Sequence, residues 1–66
     1  MNDVIVRMEH LRLANLCSRG ARMWFARMGL DYVLFLKEGY PASTLEATGD
    51  ALALRVCRVA REEEES

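Results

Sequence analysis

Few side chains in this sequence can do chemistry. His10 is the only histidine, and Cys17 and Cys57 are the only cysteines. No serine, cysteine or aspartate is spaced to pair with His10 as nucleophile and base. His10 therefore reads as a partly exposed residue in a first helical turn. Two thiols and one imidazole fall short of a tetrahedral zinc set. Each cysteine falls on the apolar side of a helical pattern, where a thiol packs as a small hydrophobe. No cofactor, metal or catalytic set is expected, so the chemistry that remains is recognition.

Recognition chemistry lies with the arginines. Eight of the nine basic residues are Arg, the side chain whose planar fork suits carboxylate and phosphate. Arg12, Arg19, Arg22 and Arg27 form one row at helical spacing; Arg55 and Arg58, with Arg61, form a second. Such rows serve as a solvated face, as internal partners for Glu9, Glu38, Glu46 and Asp50, or as contacts to an acidic partner or nucleic acid. The acidic candidates for partner contact are Asp31, Glu38, Glu46, Asp50, Glu62, Glu63 and Glu64, with Glu65 closing the run. The formal charge is −1 overall, but residues 1–61 hold nine bases against six acids, a net of +3. That balance is far from the excess of a strongly basic nucleic-acid binder. The terminal carboxylate run reads as a solvated end; because the dipole disfavours carboxylates at a helix C-terminus, a role in meeting a basic partner is the alternative.

These residues need positioning, and the periodicity supplies a mainly α fold. The pattern predicts a small bundle of one long and two or three shorter helices, with residues 3–8 as a candidate N-terminal strand. The strand would pair with a dimer mate or with an extended piece near residues 39–42, or the segment would fray into the following helix. The long helix is read over residues 9–28, its buried face formed by Leu13, Cys17, Gly20, Ala21, Trp24 and Met28, with Ala14 and Phe25 flanking. Gly29 stops it. Gly20 in mid-helix costs about 1 kcal/mol relative to Ala, and close approach of another helix is a reason to keep it. Asp31 is the N-cap of a helix over 32–38, apolar nearly all round and so expected to be central. Pro41 opens a third helix, 41–47. Thr48 or Asp50 caps the last, 50–62, whose stripe is Leu52, Val56, Val59 and Ala60. Residues 63–66 are expected to fray. Trp24 is expected to be buried at the centre, against Phe35, Leu52 and Val56.

A chain of 66 residues has room for one domain and a small core. Every long apolar stretch is interrupted by charge, so no membrane span is expected. The first ten residues lack the pattern of a signal peptide, and the expected location is the cytoplasm. A helix-turn-helix reading is disfavoured, because the would-be recognition helix begins with Ala and Leu where base-reading residues are needed.

Two stretches carry a resemblance: CSRGARMWFARMGLD, residues 17–31, and GYPASTLEATGDALALRV, residues 39–56. They resemble a group of small phage and prophage proteins. The shared positions here are Cys17, Arg19, Gly20, Arg22, Trp24, Phe25, Gly29, Leu30 and Asp31, then Gly39, Pro41, Ala42, Leu45, Ala47, Thr48, Gly49, Asp50 and Ala51. The resemblance brings no catalytic residues. It implies a phage-encoded protein acting in the host bacterial cytoplasm; monomer and homodimer are both left open. By analogy of size and class it implies an anti-CRISPR inhibitor, which binds a subunit of a type I Cas effector and blocks recognition of target DNA. The alternatives are a virion structural or assembly protein, and a small nucleic-acid-binding protein using the arginine rows.

Overall fold

A computed structural model describes residues 3–65, in the order β1 (Ile5–Val6), α1 (Met8–Leu13), α2 (Ser18–Met28), α3 (Tyr32–Glu38), β2 (Tyr40–Pro41), α4 (Ala42–Glu46) and α5 (Ala51–Glu65). The fold is a small, mainly helical domain with a long C-terminal helix. α5 is the spine: α4, α1 and β1 all pack against it.

The single helix expected over 9–28 is two helices. α1 closes at Asn15, which takes the left-handed conformation (φ 68°). Leu16 N–H then reaches back to Leu11 C=O (2.8 Å), and Asn15 N–H to Arg12 C=O (3.0 Å). This is the six-to-one and five-to-two pattern that closes a helix around a left-handed residue, a place where Asn substitutes for Gly. The chain then restarts at Cys17, whose Sγ accepts from Gly20 N–H. Because the break re-aims the chain, Leu13 and Cys17 turn outward, while Ala14, Ala21, Trp24 and Phe25 turn in.

The candidate strand at 3–8 shrinks to two residues, since Met8 already belongs to α1. It pairs within the chain: Ile5 faces Pro41 and Val6 faces Tyr40, antiparallel. Gly39 makes this approach feasible. At φ +77°, a Cβ there would lie 2.6 Å from Ile5 Cγ2 and 2.8 Å from Val6 O. Pro41 accordingly is the extended residue before α4 (ψ 138°), not its first helical residue. The ribbon is clipped at its outer end by Asp3, which accepts from the Ser43 backbone and hydroxyl.

The core centres on Phe25, not Trp24. Phe25 is 1% exposed, and its ring lies 5.2 Å from Trp24, 5.6 Å from Tyr32, 4.7 Å from Phe35 and 5.7 Å from Tyr40. Trp24 is buried as expected, at 7%, beside Leu52 and Val56 around a void of about 10 Å³; Phe35 instead meets Phe25, the two rings tilted by 38°. On α5 the inward row is Ala53, Val56, Cys57 and Ala60, with Leu52 and Val59 half-buried at its margin. Asp50 caps α5, accepting from Leu52 N–H (3.0 Å) and Ala53 N–H (3.3 Å). The helix runs on through Glu63 and Glu64 to Glu65, so the expected fraying from 63 does not occur there; Ser66 lies outside the described residues.

α3 is not central. Its Asp31 cap forms as expected (Leu34 N–H to Oδ1, 3.0 Å), but only Phe35 is buried. Two turns can present one apolar residue to a core already filled by aromatic rings. His10 is also misplaced by the sequence reading: it is buried, and its Nδ1 accepts the Arg7 backbone N–H at 2.9 Å. That bond offsets the cost of burying an imidazole.

Candidate functional site

The acidic candidates fall on different elements and in different surroundings. Asp31 caps α3. Glu46 takes a forked pair from Arg61, Nε to Oε2 at 3.2 Å and the terminal nitrogen to Oε1 at 2.8 Å; the same nitrogen lies 3.9 Å from Asp3. Arg61 thereby ties α5 to α4 and to the N-terminal ribbon. Asp50 accepts the Trp24 indole N–H at 3.1 Å besides its two backbone donors. These donors hold its carboxyl below the usual range, the indole N–H first, with Arg27 contributing through its charge. Asp3 is likewise lowered, chiefly by the Ser43 hydroxyl. Glu38, Glu62, Glu63 and Glu64 are exposed. Glu64 borders a shallow charged depression with Asp3, Arg7 and Glu9. The acidic candidates are thus dispersed over several elements.

The basic residues are placed differently. Arg12, Arg19, Arg22, Arg27 and Arg58 are exposed, Arg12 on α1 and the next three on α2, so the expected row is split by the Asn15 break. Arg22 lies over the Tyr32 ring, 5.9 Å from its centroid. Arg55 donates to the Ala14 carbonyl and fastens α5 to the end of α1. Between Glu9 and Asp31 the sequence holds four arginines and no acid, while the Asp50 carboxylate lies against Trp24 of α2 and feels the charge of Arg27.

Beside these arginines is an open depression, about 840 Å³ with open solvent included, lined by Leu16, Gly20, Met23, Trp24, Arg27 and Leu52. Gly20, Met23, Trp24 and Arg27 follow i, i+3, i+4, i+7 spacing on α2, which makes a continuous stripe. Leu16 and Leu52 form its walls from the α1–α2 connection and the first turn of α5. Met23 is 66% exposed. A Cβ on Gly20 would meet only Cys17 Sγ, at 3.7 Å.

No family model, curated protein or solved structure matches this chain.

Further apolar side chains stand outward around the molecule: Leu13 (55%), Val33 (60%) and Leu36 (51%). Sequence reading missed Met23 and Leu16 as surface features and placed Leu13 in the core. The one signal available was Gly20, a helix-weakening residue that the expected packing was invoked to explain. The two cysteines also part company. Cys17 is exposed, and the Gly20 N–H lowers its thiol pKa. Cys57 is fully buried and donates to Ala42 C=O; burial, then the charge of Glu46, pushes it up to about 11. Both are free thiols.

Proposed function

We propose that the protein works by binding another protein, as a phage-encoded inhibitor that engages a type I CRISPR effector and blocks its recognition of target DNA. The observation that carries the binding reading is the exposed apolar surface on α1–α2: Leu13 and Met23 are more than half exposed, and Met23 lines an open groove. A domain this small needs its apolar residues for its own core. Large side chains left outside, rimmed by charge, mark a contact surface. The resemblance of residues 17–31 and 39–56 to small phage proteins supports a phage origin, and the inhibitor class and the effector as partner follow by analogy of size and class.

The test uses the purified protein against purified type I effector complexes, with binding of the complex to its target DNA as the readout. A plaque assay in a CRISPR-active host runs in parallel. Co-purification with the complex, loss of target-DNA binding and restored plaques are expected. No co-purification together with intact interference would refute the reading. Recovery of the protein in purified phage particles would instead establish the assembly role.

A further inference from the structure

We infer that the α2 groove at Gly20 and Met23 receives an amphipathic helix with acidic flanks from the partner protein. This deepens the binding reading above and rests on it. Three observations converge. The first is shape. The stripe from Gly20 to Arg27 spans eight residues, seven steps of 1.5 Å or about 10 Å, and matches two turns of a helix laid along it. Helix-in-groove recognition uses apolar anchors at that spacing, and Leu16, Met23 and Leu52 offer aliphatic and thioether contacts to such anchors. Met is well suited because its flexible thioether adapts to the side chain that arrives.

The second is Gly20. It is the third residue of α2, in the first turn, where its N–H is taken by Cys17 Sγ. The chain's own packing does not require it, since its Cβ position is open to the groove apart from Cys17 Sγ. A bare backbone at the groove floor lets a second backbone approach closely, as small residues do where helices cross tightly.

The third is charge. Arg27 closes one end of the groove, and Arg12, Arg19 and Arg22 are exposed on the same two helices, with no acid between Glu9 and Asp31. The Asp50 carboxylate is taken up by the indole and the α5 cap. A partner presenting Glu or Asp beside its apolar anchors gains forked contacts from Arg27 and from Arg19, one turn from Met23 on the same helix; Arg22 is turned to the Tyr32 ring. A nucleic acid strand fits less well. Binding single strands calls for exposed aromatic rings on which bases stack, and the one aromatic lining the groove, Trp24, is 7% exposed.

The test titrates the full chain with a labelled model helix of about four turns, carrying Leu anchors at i, i+3, i+4 and i+7 flanked by Glu. Two peptides of equal length serve as comparison, one with Lys for Glu and one with the same composition scrambled. Peptide anisotropy gives the affinity, and the emission of Trp24, the only tryptophan, reports occupancy. The Glu helix is expected to bind at least about tenfold more tightly than either comparison peptide, a difference of about 1.4 kcal/mol. Gly20→Ala, which changes no charge, and Met23→Glu should each weaken it at least about tenfold, with unchanged circular dichroism. Val33→Glu, on the far helix α3, should leave it unchanged.

Equal binding of all three peptides, or binding insensitive to Gly20→Ala and Met23→Glu, would overturn the proposal. So would displacement of the peptide by a single-stranded oligonucleotide of higher affinity. The two readings fail separately. An effector complex that binds wild type and both groove variants alike removes the groove and leaves the inhibitor. A Glu helix that binds through the groove while no effector co-purifies removes the inhibitor and leaves the groove.

Discussion

Replacing Phe25 by leucine tests whether the aromatic cluster organises this domain. Leucine keeps most of the buried apolar area and removes the ring. Phe25 meets Trp24, Tyr32, Phe35 and Tyr40 with centroids 4.7–5.7 Å away, distances at which aromatic pairs contribute about 0.5–1.5 kcal/mol each beyond their area. The four share one ring and do not add fully, so the expected loss is about 2 kcal/mol. At about 0.05–0.15 kcal/mol per residue, a chain of 66 residues holds about 3–10 kcal/mol in all. Phe25→Leu should therefore fold and melt cooperatively. Its midpoint should fall by about 8–16 °C, since 1 kcal/mol moves a domain of this size by about 4–8 °C. Phe25→Ala, at about 3–5 kcal/mol, should be largely unfolded. The assay is thermal melting followed by far-ultraviolet circular dichroism, with Trp24 emission as a second probe. A Phe25→Leu midpoint within about 2 °C of wild type would show that the ring contacts do not stabilise the fold, and the core would have to centre elsewhere.

Trp24→Ala should cost about 3–5 kcal/mol and leave little cooperative transition in the same melt, because the indole fills the junction of α2 and α5. Gly39→Ala should destabilise by at least about 2 kcal/mol, since the residue is left-handed and its new methyl meets Ile5 and the Val6 carbonyl; urea unfolding reads it, and a neutral result would remove the β1–β2 ribbon. Asp50 and Asp3 have pKa values below the ordinary carboxylate range, so their contribution to stability is full above the unfolded pKa of about 4 and is lost as pH falls through the lower folded values. Urea midpoints should drop between pH 7 and about pH 3, and Asp50→Asn should flatten that slope. Of the two thiols, Cys17 should alkylate in the native protein, whereas Cys57, buried and raised to about 11, should react only on unfolding. Mass spectrometry of a timed iodoacetamide reaction distinguishes them, and equal rates would place Cys57 at the surface.

The sequence alone determined the features that rest on local physics. Asp31 before an apolar run, Gly29 after one, and Asp50 at the head of the last helix each satisfy orphan backbone groups with their own side chain or dihedral, and all three act where the sequence places them. The helical class followed from the 3.6-residue period, and Trp24 was legible as buried from its place in the stripe. The break at Asn15 was not. Asn is tolerated within a helix and also as its left-handed end, and only the packing of α1 against α5, with Arg55 holding the Ala14 carbonyl, selects the second. From that one dihedral follow the outward turn of Leu13 and Cys17 and the splitting of the arginine row. The partners of the acids also needed the fold: Glu46 finds Arg61 and Asp50 finds the Trp24 indole across separations of 15 and 26 residues. The groove is tertiary in the same sense. Gly20, Met23 and Arg27 share a helix face by spacing, but Leu16 and Leu52 wall it only because the helix breaks at Asn15 and the first turn of α5 comes up to α2. Spacing fixes which residues share a face; which faces meet is decided by burial summed over the whole chain.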